Sequence, residues 1–142
     1  MPTLERAVAF AAEAHEGQTD KAGAPYILHV LRVVLACPPG DAQIVAALHD
    51  VVEDTDWTLD DLRERGFSET VVQSVDAVTR RSDETYMGFI TRAELDPIGR
   101  IVKLADVCDN SSPLRMAALG DSALGMQRRY ARAKELMERV DG

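Results

Sequence analysis

The chain has 142 residues, with 16 Lys and Arg against 24 Asp and Glu, so its net charge at pH 7 is −8. A chain of this length forms one ordinary domain with its own core. Its negative charge opposes general attraction to DNA, RNA or an anionic membrane surface. We therefore expect a single domain over residues 1–142 that binds neither nucleic acid nor membrane.

The cysteine count and the N-terminal sequence bear on the cellular compartment. Only Cys37 and Cys108 are present, without CxxC spacing, which argues against a disulfide framework and a thiolate zinc site. Charged residues at positions 5, 6 and 13 interrupt the apolar residues of the N-terminus, and no apolar run reaches membrane-spanning length. These features predict a cytoplasmic protein.

Nearly every segment follows the helical period and alternating strand patterns are absent, so we predict an all-α fold. Thr3 is a suitable cap for a first helix, which should end near a loop over residues 17–25. A second helix, about residues 26–37, should stop at two prolines and a glycine. Asp41 then predicts the start of a third helix that continues through residues 49–54.

The second half of the chain carries equally clear start signals. Thr58 and Asp61 have the spacing of a capping box for a short helix that ends at Gly66. Ser68 should begin another helix, which reaches Arg80. Two arginines, the second being Arg81, would then lie where this helix ends.

Three further helices complete the prediction. One covers residues 84 to about 94, and Asp96-Pro97 is a strong start for the next, because an aspartate cap is followed by proline in the first turn. This helix contains the sequence IVKLADVCDN. The last helix covers roughly residues 122–140.

Four ionisable residues lie close together in the run AALHDVVEDTD: His49, Asp50, Glu53 and Asp54. The apolar residues before them predict a helix that enters the interior, where unpaired charges are costly. At about 3.6 residues per turn, the imidazole and the three carboxylates would crowd adjacent stripes of one helix. A divalent cation is the simplest neutraliser of such a cluster.

Two other polar residues interrupt apolar stripes: His29 in YILHVLRVV and Asp106 in IVKLADVCDN. Together with His49 and Asp50, they would supply two imidazoles and two carboxylates from three helices, an arrangement that helical bundles use for metals. Nitrogen and oxygen donors without thiolate fit Mn²⁺, and they are also compatible with Zn²⁺, Fe²⁺ and Co²⁺. The residues alone leave the choice of metal open.

Four segments, HEGQTDKAGAPYILHV, AALHDVVEDTDWTLDDL, VDAVTRR and GRIVKLADVCDN, occur in an order and spacing that resemble the HD-domain hydrolases of the RelA/SpoT type. The similarity is closest to the stand-alone small alarmone hydrolases, of which the metazoan SpoT homologue is one. It covers residues from about 4 to 110. It implies an HD-domain multi-helix bundle with a central metal site, here a single HD domain.

The same resemblance implies a reaction and a set of roles. His29, His49, Asp50 and Asp106 would hold Mn²⁺, and Glu53 and Asp54 would be the catalytic acid/base pair. The reaction would be hydrolysis of the 3′-pyrophosphate of guanosine alarmones, converting ppGpp and pppGpp to GDP and GTP plus pyrophosphate. The partner would thus be a small nucleotide. The expected substrate contacts are Lys21, Tyr26, Arg80, Asn110, Arg129 and Tyr130.

One departure from the family pattern leaves the base open. Asp20 stands where the guanosine alarmone hydrolases carry an arginine able to stack on guanine, and an aspartate neither stacks on a base nor attracts phosphate. Another 3′-phosphorylated nucleotide such as ppApp, or the phosphorylated dinucleotide NADPH, therefore remains an alternative substrate.

Two other classes of function also remain. One is a non-catalytic, nucleotide-binding regulatory HD domain, against which the retained Glu53 and Asp54 argue. The other is a 5′-nucleotidase or cyclic phosphodiesterase, against which the HDVVEDT continuation argues. The oligomeric state is not readable from the sequence.

We interpret Asp109 as a surface residue and His15 as structural. Arg80 is as well suited to capping carbonyls at the end of its helix as to binding substrate.

Overall fold

The computed structural model describes residues 2–111, 131–133 and 135. Between residues 4 and 110 it contains helices and no strand, as the sequence predicted. The helices are α1 (Leu4–Ala14), α2 (Ile27–Ala36), α3 (Asp41–Leu48), α4 (Val51–Asp54), α5 (Leu59–Glu64), α6 (Glu69–Ala77), α7 (Tyr86–Glu94) and α8 (Pro97–Asn110). The expected helix over residues 122–140 lies mostly outside the described residues. Within the described part, no helix is long and apolar enough to cross a membrane.

The helix starts predicted at Thr3, Thr58, Ser68 and Asp96 are confirmed. Side chains of Thr3, Ser68 and Asp96 each accept a hydrogen bond from the backbone amide three residues later, at the starts of α1, α6 and α8. The capping box of α5 has both of its arms. Thr58 Oγ1 accepts from the amide of Asp61 at 3.2 Å, and the Asp61 carboxylate accepts from the amide of Thr58 at 2.8 Å.

The prediction of one continuous third helix through residue 54 is wrong. The helix begins at Asp41 itself, after Gly40 at φ 104°, and ends at Leu48; a turn of two residues, His49 and Asp50, separates it from α4. Consecutive residues of a continuous helix point about 100° apart. The turn instead allows both of these side chains to face the same point.

The predicted extents of two later helices are also corrected. α6 ends at Ala77 rather than at Arg80, because the carbonyls of Asp76 and Thr79 accept hydrogen bonds from the guanidinium of Arg92 at 3.0 and 2.7 Å. α7 begins two residues later than predicted, at Tyr86. Its cap is Thr85, whose hydroxyl accepts a hydrogen bond from the amide of Gly88 at 3.0 Å.

The centre of the fold is α3, which contacts α1, α2, α6 and α8. Its residues Val45, Ala46, Ala47 and Leu48 are completely buried. A smaller apolar cluster packs between α7 and α8 around Phe89 and Ile90. Burial of these side chains fixes the ends of α2, α3 and α8 against each other, so polar residues at those ends are held in a defined geometry.

Candidate metal centre and carboxylate pair

Four buried polar residues meet at one point: His29 on α2, His49 and Asp50 in the turn after α3, and Asp106 on α8. Their exposed fractions lie between 1% and 7%. One donor atom from each lies within 4.8 Å of the donor atoms of the other three. The structure therefore brings together the four residues that the sequence pattern indicated as metal ligands.

The His49 ring is oriented by its own helix. Its Nδ1 lies 2.6 Å from the carbonyl oxygen of Ala46, so Nδ1 carries the proton and donates it. Nε2 has no partner of good hydrogen-bond geometry, although it lies 2.9 Å from Oδ2 of Asp50 and 3.3 Å from Oδ1 of Asp106. A bare nitrogen beside carboxylate oxygens is repulsive unless a proton or a metal cation lies between them.

The His29 ring has the same orientation with a different partner. Its Nδ1 lies 2.6 Å from Oδ2 of Asp109, and its Nε2 lies 2.9 Å from Oδ1 of Asp106. Both imidazoles thus direct Nε2 at the buried carboxylates. Two nitrogen and two oxygen donors that converge in this way fit a divalent cation.

The charges of the cluster are only partly balanced within the chain. Burial alone would raise the pKa of Asp106, but the Lys103 ammonium, 2.7 Å from Oδ2, and the adjacent imidazoles of His29 and His49 hold that pKa well below its usual range. Burial alone would lower the pKa of Lys103, but the charge of Asp106 outweighs burial and raises that pKa. Asn110, expected to contact the nucleotide, donates to Oδ1 of Asp106 at 3.2 Å.

Tyr26 also turns towards the cluster. Its hydroxyl donates a hydrogen bond to Oδ2 of Asp50, and burial followed by the charge of that carboxylate raises the pKa of the phenol. The hydroxyl expected to contact the nucleotide therefore orients a carboxylate of the cluster.

Glu53 and Asp54 lie beside the cluster but are exposed, unlike the buried positions that a continuous helix predicted. Oε1 of Glu53 accepts a hydrogen bond from the backbone amide of Arg80 at 2.7 Å. Although both side chains reach solvent, neighbouring groups displace water from their carboxylates, and this loss of hydration is the largest cause that raises the pKa of Glu53. The same loss of hydration, followed by the charges of Asp50 and Glu53, raises the pKa of Asp54 to about 6. The pair thus faces solvent with carboxyl groups suited to exchanging protons.

The loop over residues 17–25 presents Lys21, which is exposed. Asp20 organises this loop, because its Oδ1 accepts hydrogen bonds from the amides of Ala22 at 2.9 Å and Ala24 at 3.0 Å. Gly23 adopts a positive φ of 84° in the same turn. The aspartate that departs from the family pattern therefore holds the loop in shape.

The other expected substrate contacts have separate outcomes. Arg80 is exposed, donates to the carbonyl of Glu84 at 3.2 Å and lies over the ring of Tyr86 at 5.8 Å. Glu84 lies in the segment before α7, so this contact is not the capping of carbonyls at the end of α6 that was the alternative to substrate binding. Arg129 and Tyr130 lie outside the described residues.

His15 has the structural place that was expected. It is buried at the end of α1, and its Nδ1 lies 2.9 Å from Oε1 of Gln18.

Sequence reasoning missed the roles of Lys103 and Asp109 in this site. Asp109 was interpreted as a surface residue, yet it contacts the His29 ring. The available signal was spacing, because these residues lie three positions before and after Asp106 and so share one side of α8.

A sequence profile of the HD domain matches residues 7–93. A guanosine-3′,5′-bis(diphosphate) 3′-pyrophosphohydrolase of Aquifex aeolicus is 37% identical over 78% of this chain and 18% of its own length. A GTP pyrophosphokinase of Streptomyces coelicolor is 36% identical over 95% of this chain and 16% of its own length. The chain thus spans less than a fifth of these two curated relatives.

A solved structure supports the same fold. It is described as a metazoan ortholog of SpoT that hydrolyzes ppGpp, has a TM-score of 0.68 and 24% identity, and matches 100% of this chain and 98% of its own. The helical bundle, the buried His and Asp cluster and the match of the profile over residues 7–93 lead to one conclusion: the chain belongs to the HD domain family.

Proposed function

We propose that this protein is a metal-dependent phosphohydrolase that removes the 3′-pyrophosphate of guanosine alarmones, converting ppGpp and pppGpp to GDP and GTP. The observation that carries the proposal is the buried cluster of two histidines and two aspartates with an exposed carboxylate pair beside it. The relatives that bear the name of this hydrolase support the choice of substrate. A single HD domain would extend over residues 1–142.

His29, His49, Asp50 and Asp106 would hold the metal, and we propose Mn²⁺ because the donors are imidazole nitrogens and carboxylate oxygens without thiolate. A divalent ion at this place supplies a coordinated water of lowered pKa and polarises a phosphoryl oxygen. The orientation of both Nε2 atoms towards the carboxylates supports this assignment.

Glu53 and Asp54 would move the proton. In the hydrolysis, water adds to the phosphorus bonded to the 3′ oxygen, that phosphorus–oxygen bond breaks, and the 3′ oxygen takes up the proton that water loses. Glu53, held by the amide of Arg80, has a fixed position from which to accept a proton. Asp54, with a pKa of about 6, exchanges protons near neutral pH and can return one to the leaving oxygen.

Cations on the exposed side would bind the phosphates. Lys21 lies on the loop that precedes α2, and Arg80 lies in the segment that holds Glu53, so each is accessible to an anionic ligand. Tyr26 and Asn110, which bind the cluster carboxylates, would act on substrate mainly by orienting those carboxylates. Arg129 and Tyr130 remain proposed contacts on family resemblance alone.

The role of Asp20 favours a second candidate substrate, a 3′-phosphorylated nucleotide with another base. Its carboxylate is tied to two loop amides, so this position provides neither a stacking surface for guanine nor a positive charge. ppApp fits this description, and NADPH, which carries its phosphate ester on the 2′ oxygen of the adenosine ribose, is a related case. In either case the cluster and the carboxylate pair would act on the phosphate ester of the ribose in the same way.

The test is to incubate Mn²⁺-loaded protein with ppGpp, pppGpp, ppApp, NADPH, cyclic nucleotides and 5′-mononucleotides, and to measure released pyrophosphate and phosphate. Pyrophosphate from ppGpp and pppGpp is the expected result. Release from ppApp or NADPH alone would instead favour the second candidate. Nucleotide binding without turnover of any compound would contradict the proposal and indicate a regulatory domain.

A further inference from the structure

The two imidazoles of the cluster are held by partners of different kinds. His49 donates through Nδ1 to a carbonyl of its own helix, that of Ala46, which is fixed as long as the helix exists. His29 on α2 instead meets the side chain of Asp109 on α8, with its Nδ1 2.6 Å from Oδ2. The orientation of His29 therefore depends on a carboxylate that a substitution can remove.

Asp109 is itself held in one geometry by an arginine. Arg32 donates through Nε to Oδ1 of Asp109 at 2.7 Å and through a terminal nitrogen to Oδ2 at 3.2 Å. Such a two-point contact fixes the plane of a carboxylate as well as its distance. Arg32 follows His29 by three residues and so lies one turn further along α2. Two side chains of α2, those of His29 and Arg32, thus contact the same carboxylate of α8.

This contact decides which nitrogen of His29 carries the proton. With Asp109 accepting from Nδ1, the neutral ring has a bare Nε2, which lies 2.9 Å from Oδ1 of Asp106 and 3.8 Å from Oδ2 of Asp50. Without Asp109, the proton would be more stable on Nε2, where Asp106 accepts it. A ring protonated on Nε2 cannot offer that nitrogen to a metal.

We propose that Asp109, held by Arg32, is the positioning residue that keeps Nε2 of His29 available as a metal ligand. This inference rests on the proposed metal-dependent function. Carboxylate partners of this kind orient the ring and increase the basicity of the ligating nitrogen, and their loss typically weakens metal affinity by about 10-fold to 100-fold. Asp109 touches neither substrate nor metal in this role and acts through the imidazole.

The test compares Asp109→Ala, Asp109→Asn and Arg32→Gln with the unmodified protein by titration with Mn²⁺ alone. We expect Asp109→Ala to raise the Mn²⁺ dissociation constant by roughly 10-fold to 100-fold. Asp109→Asn should raise it less, because an amide oxygen still accepts from Nδ1. Arg32→Gln should also raise it less than Asp109→Ala does. Glu69→Gln is the matched control, because Glu69 accepts a similar two-point contact from Arg63 on α5.

A spectroscopic measurement separates positioning from general stability. In Zn²⁺-loaded protein, the Nδ1 proton of His29 should give a resonance protected from exchange with solvent, and Asp109→Ala should lose it while Glu69→Gln retains it. Unchanged Mn²⁺ affinity in Asp109→Ala would overturn the inference and leave the proposed function intact. If that variant does not fold, unchanged affinity in both Asp109→Asn and Arg32→Gln would overturn it equally. Absence of Mn²⁺ binding by the unmodified protein would contradict the metal site itself, and with it this inference.

Discussion

Glu53 is tied to Arg80 through the backbone, since the amide of Arg80 donates to Oε1 of Glu53 at 2.7 Å. This amide belongs to the segment between α6 and α7. Arg92 on α7 fastens the segment by donating to the carbonyl of Thr79 at 2.7 Å and to the carboxylate of Glu84 at 2.7 and 2.9 Å. The position of a proposed catalytic carboxylate is thus set by an arginine that it does not contact.

Arg92→Lys should lower turnover without weakening metal binding. A lysine ammonium cannot make the two-point contact to Glu84 while also reaching the carbonyls, so the segment that presents the Arg80 amide would shift. Small displacements of a reacting group reduce rates by up to about 100-fold, and we expect a loss in kcat of at least roughly 10-fold. Steady-state kinetics and Mn²⁺ titration are the measurements. Arg63→Lys, which alters an exposed contact to Glu69 and Asp60, is the control. Unchanged kcat in Arg92→Lys would refute the positioning of Glu53 by this segment.

Asp50→Ala should lose both metal and activity. The carboxylate lies 2.9 Å from Nε2 of His49 and accepts the hydroxyl of Tyr26, so its removal takes away one of the four donors and leaves the phenol without its acceptor. Metal content of the purified variant and pyrophosphate release measure the two effects. Asp83→Ala, at an exposed position, should behave as the unmodified protein does. A full metal content in Asp50→Ala would mean that the proposed ligand set is wrong.

Glu53→Gln should separate chemistry from metal binding. The amide side chain still accepts from the amide of Arg80, but it cannot take a proton, so we expect turnover to fall by about 100-fold to 10,000-fold. The Mn²⁺ dissociation constant should stay unchanged, because Glu53 is not among the cluster donors. Glu64→Gln on the exposed end of α5 serves as control. Turnover retained in Glu53→Gln would remove this residue from the proposed proton transfer.

The metal-free protein should lose stability as pH rises above neutrality. Burial would lower the pKa of His49, but the charge of Asp50 and the carboxylates of Asp50 and Asp106, which accept from the protonated ring, raise that pKa well above its ordinary value of 6.5. Because the folded state binds this proton more tightly than the unfolded state, the stabilisation is complete below the unfolded pKa of 6.5 and is lost as pH rises through the folded pKa. Asp54, with its pKa of about 6, is already ionised from about pH 7 upward.

The measurement is the free energy of unfolding of chelator-treated protein at several pH values above about pH 7. In the His49→Gln variant, this free energy should depend less steeply on pH. Mn²⁺ affinity should rise over the same range, because the metal competes with the proton on the imidazole. A chelated protein whose stability is independent of pH in this range would show that His49 does not bind the proton in the way described.

Thr58→Ala should destabilise the fold without affecting the reaction. It removes the hydroxyl that caps the amide of Asp61, and loss of such a cap costs about 1 kcal/mol. Urea unfolding measures this change, while kcat should not move. The comparison variant is Thr91→Ala, because Thr91 is an exposed residue of α7 whose hydroxyl donates to the carbonyl of Met87 in the preceding turn. Equal stability of the Thr58 and Thr91 variants would argue against the capping box.

Helix starts, which depend on residues close in sequence, were predicted correctly more often than features that depend on contacts between distant parts of the chain. Thr58 and Asp96 cap helices in isolation, so their patterns indicate helix starts correctly. The break at His49 and Asp50 is not visible locally, because it accompanies a contact with Tyr26, which is far along the chain. The convergence of the cluster was predictable because buried ionisable residues require partners. The role of Asp109 was not, because it depends on how α8 is rotated against α2.

Four polar residues of α8 lie on one side of that helix: Lys103, Asp106, Asp109 and Asn110. A rotation of α8 by one residue, about 100°, would separate the buried carboxylate from its ammonium and the imidazole from its acceptor at the same time. Partly docked arrangements would leave several buried charges unpaired at once, which makes them very unfavourable. These shared contacts therefore favour a single rotational position of α8, and the candidate site is complete only in that position.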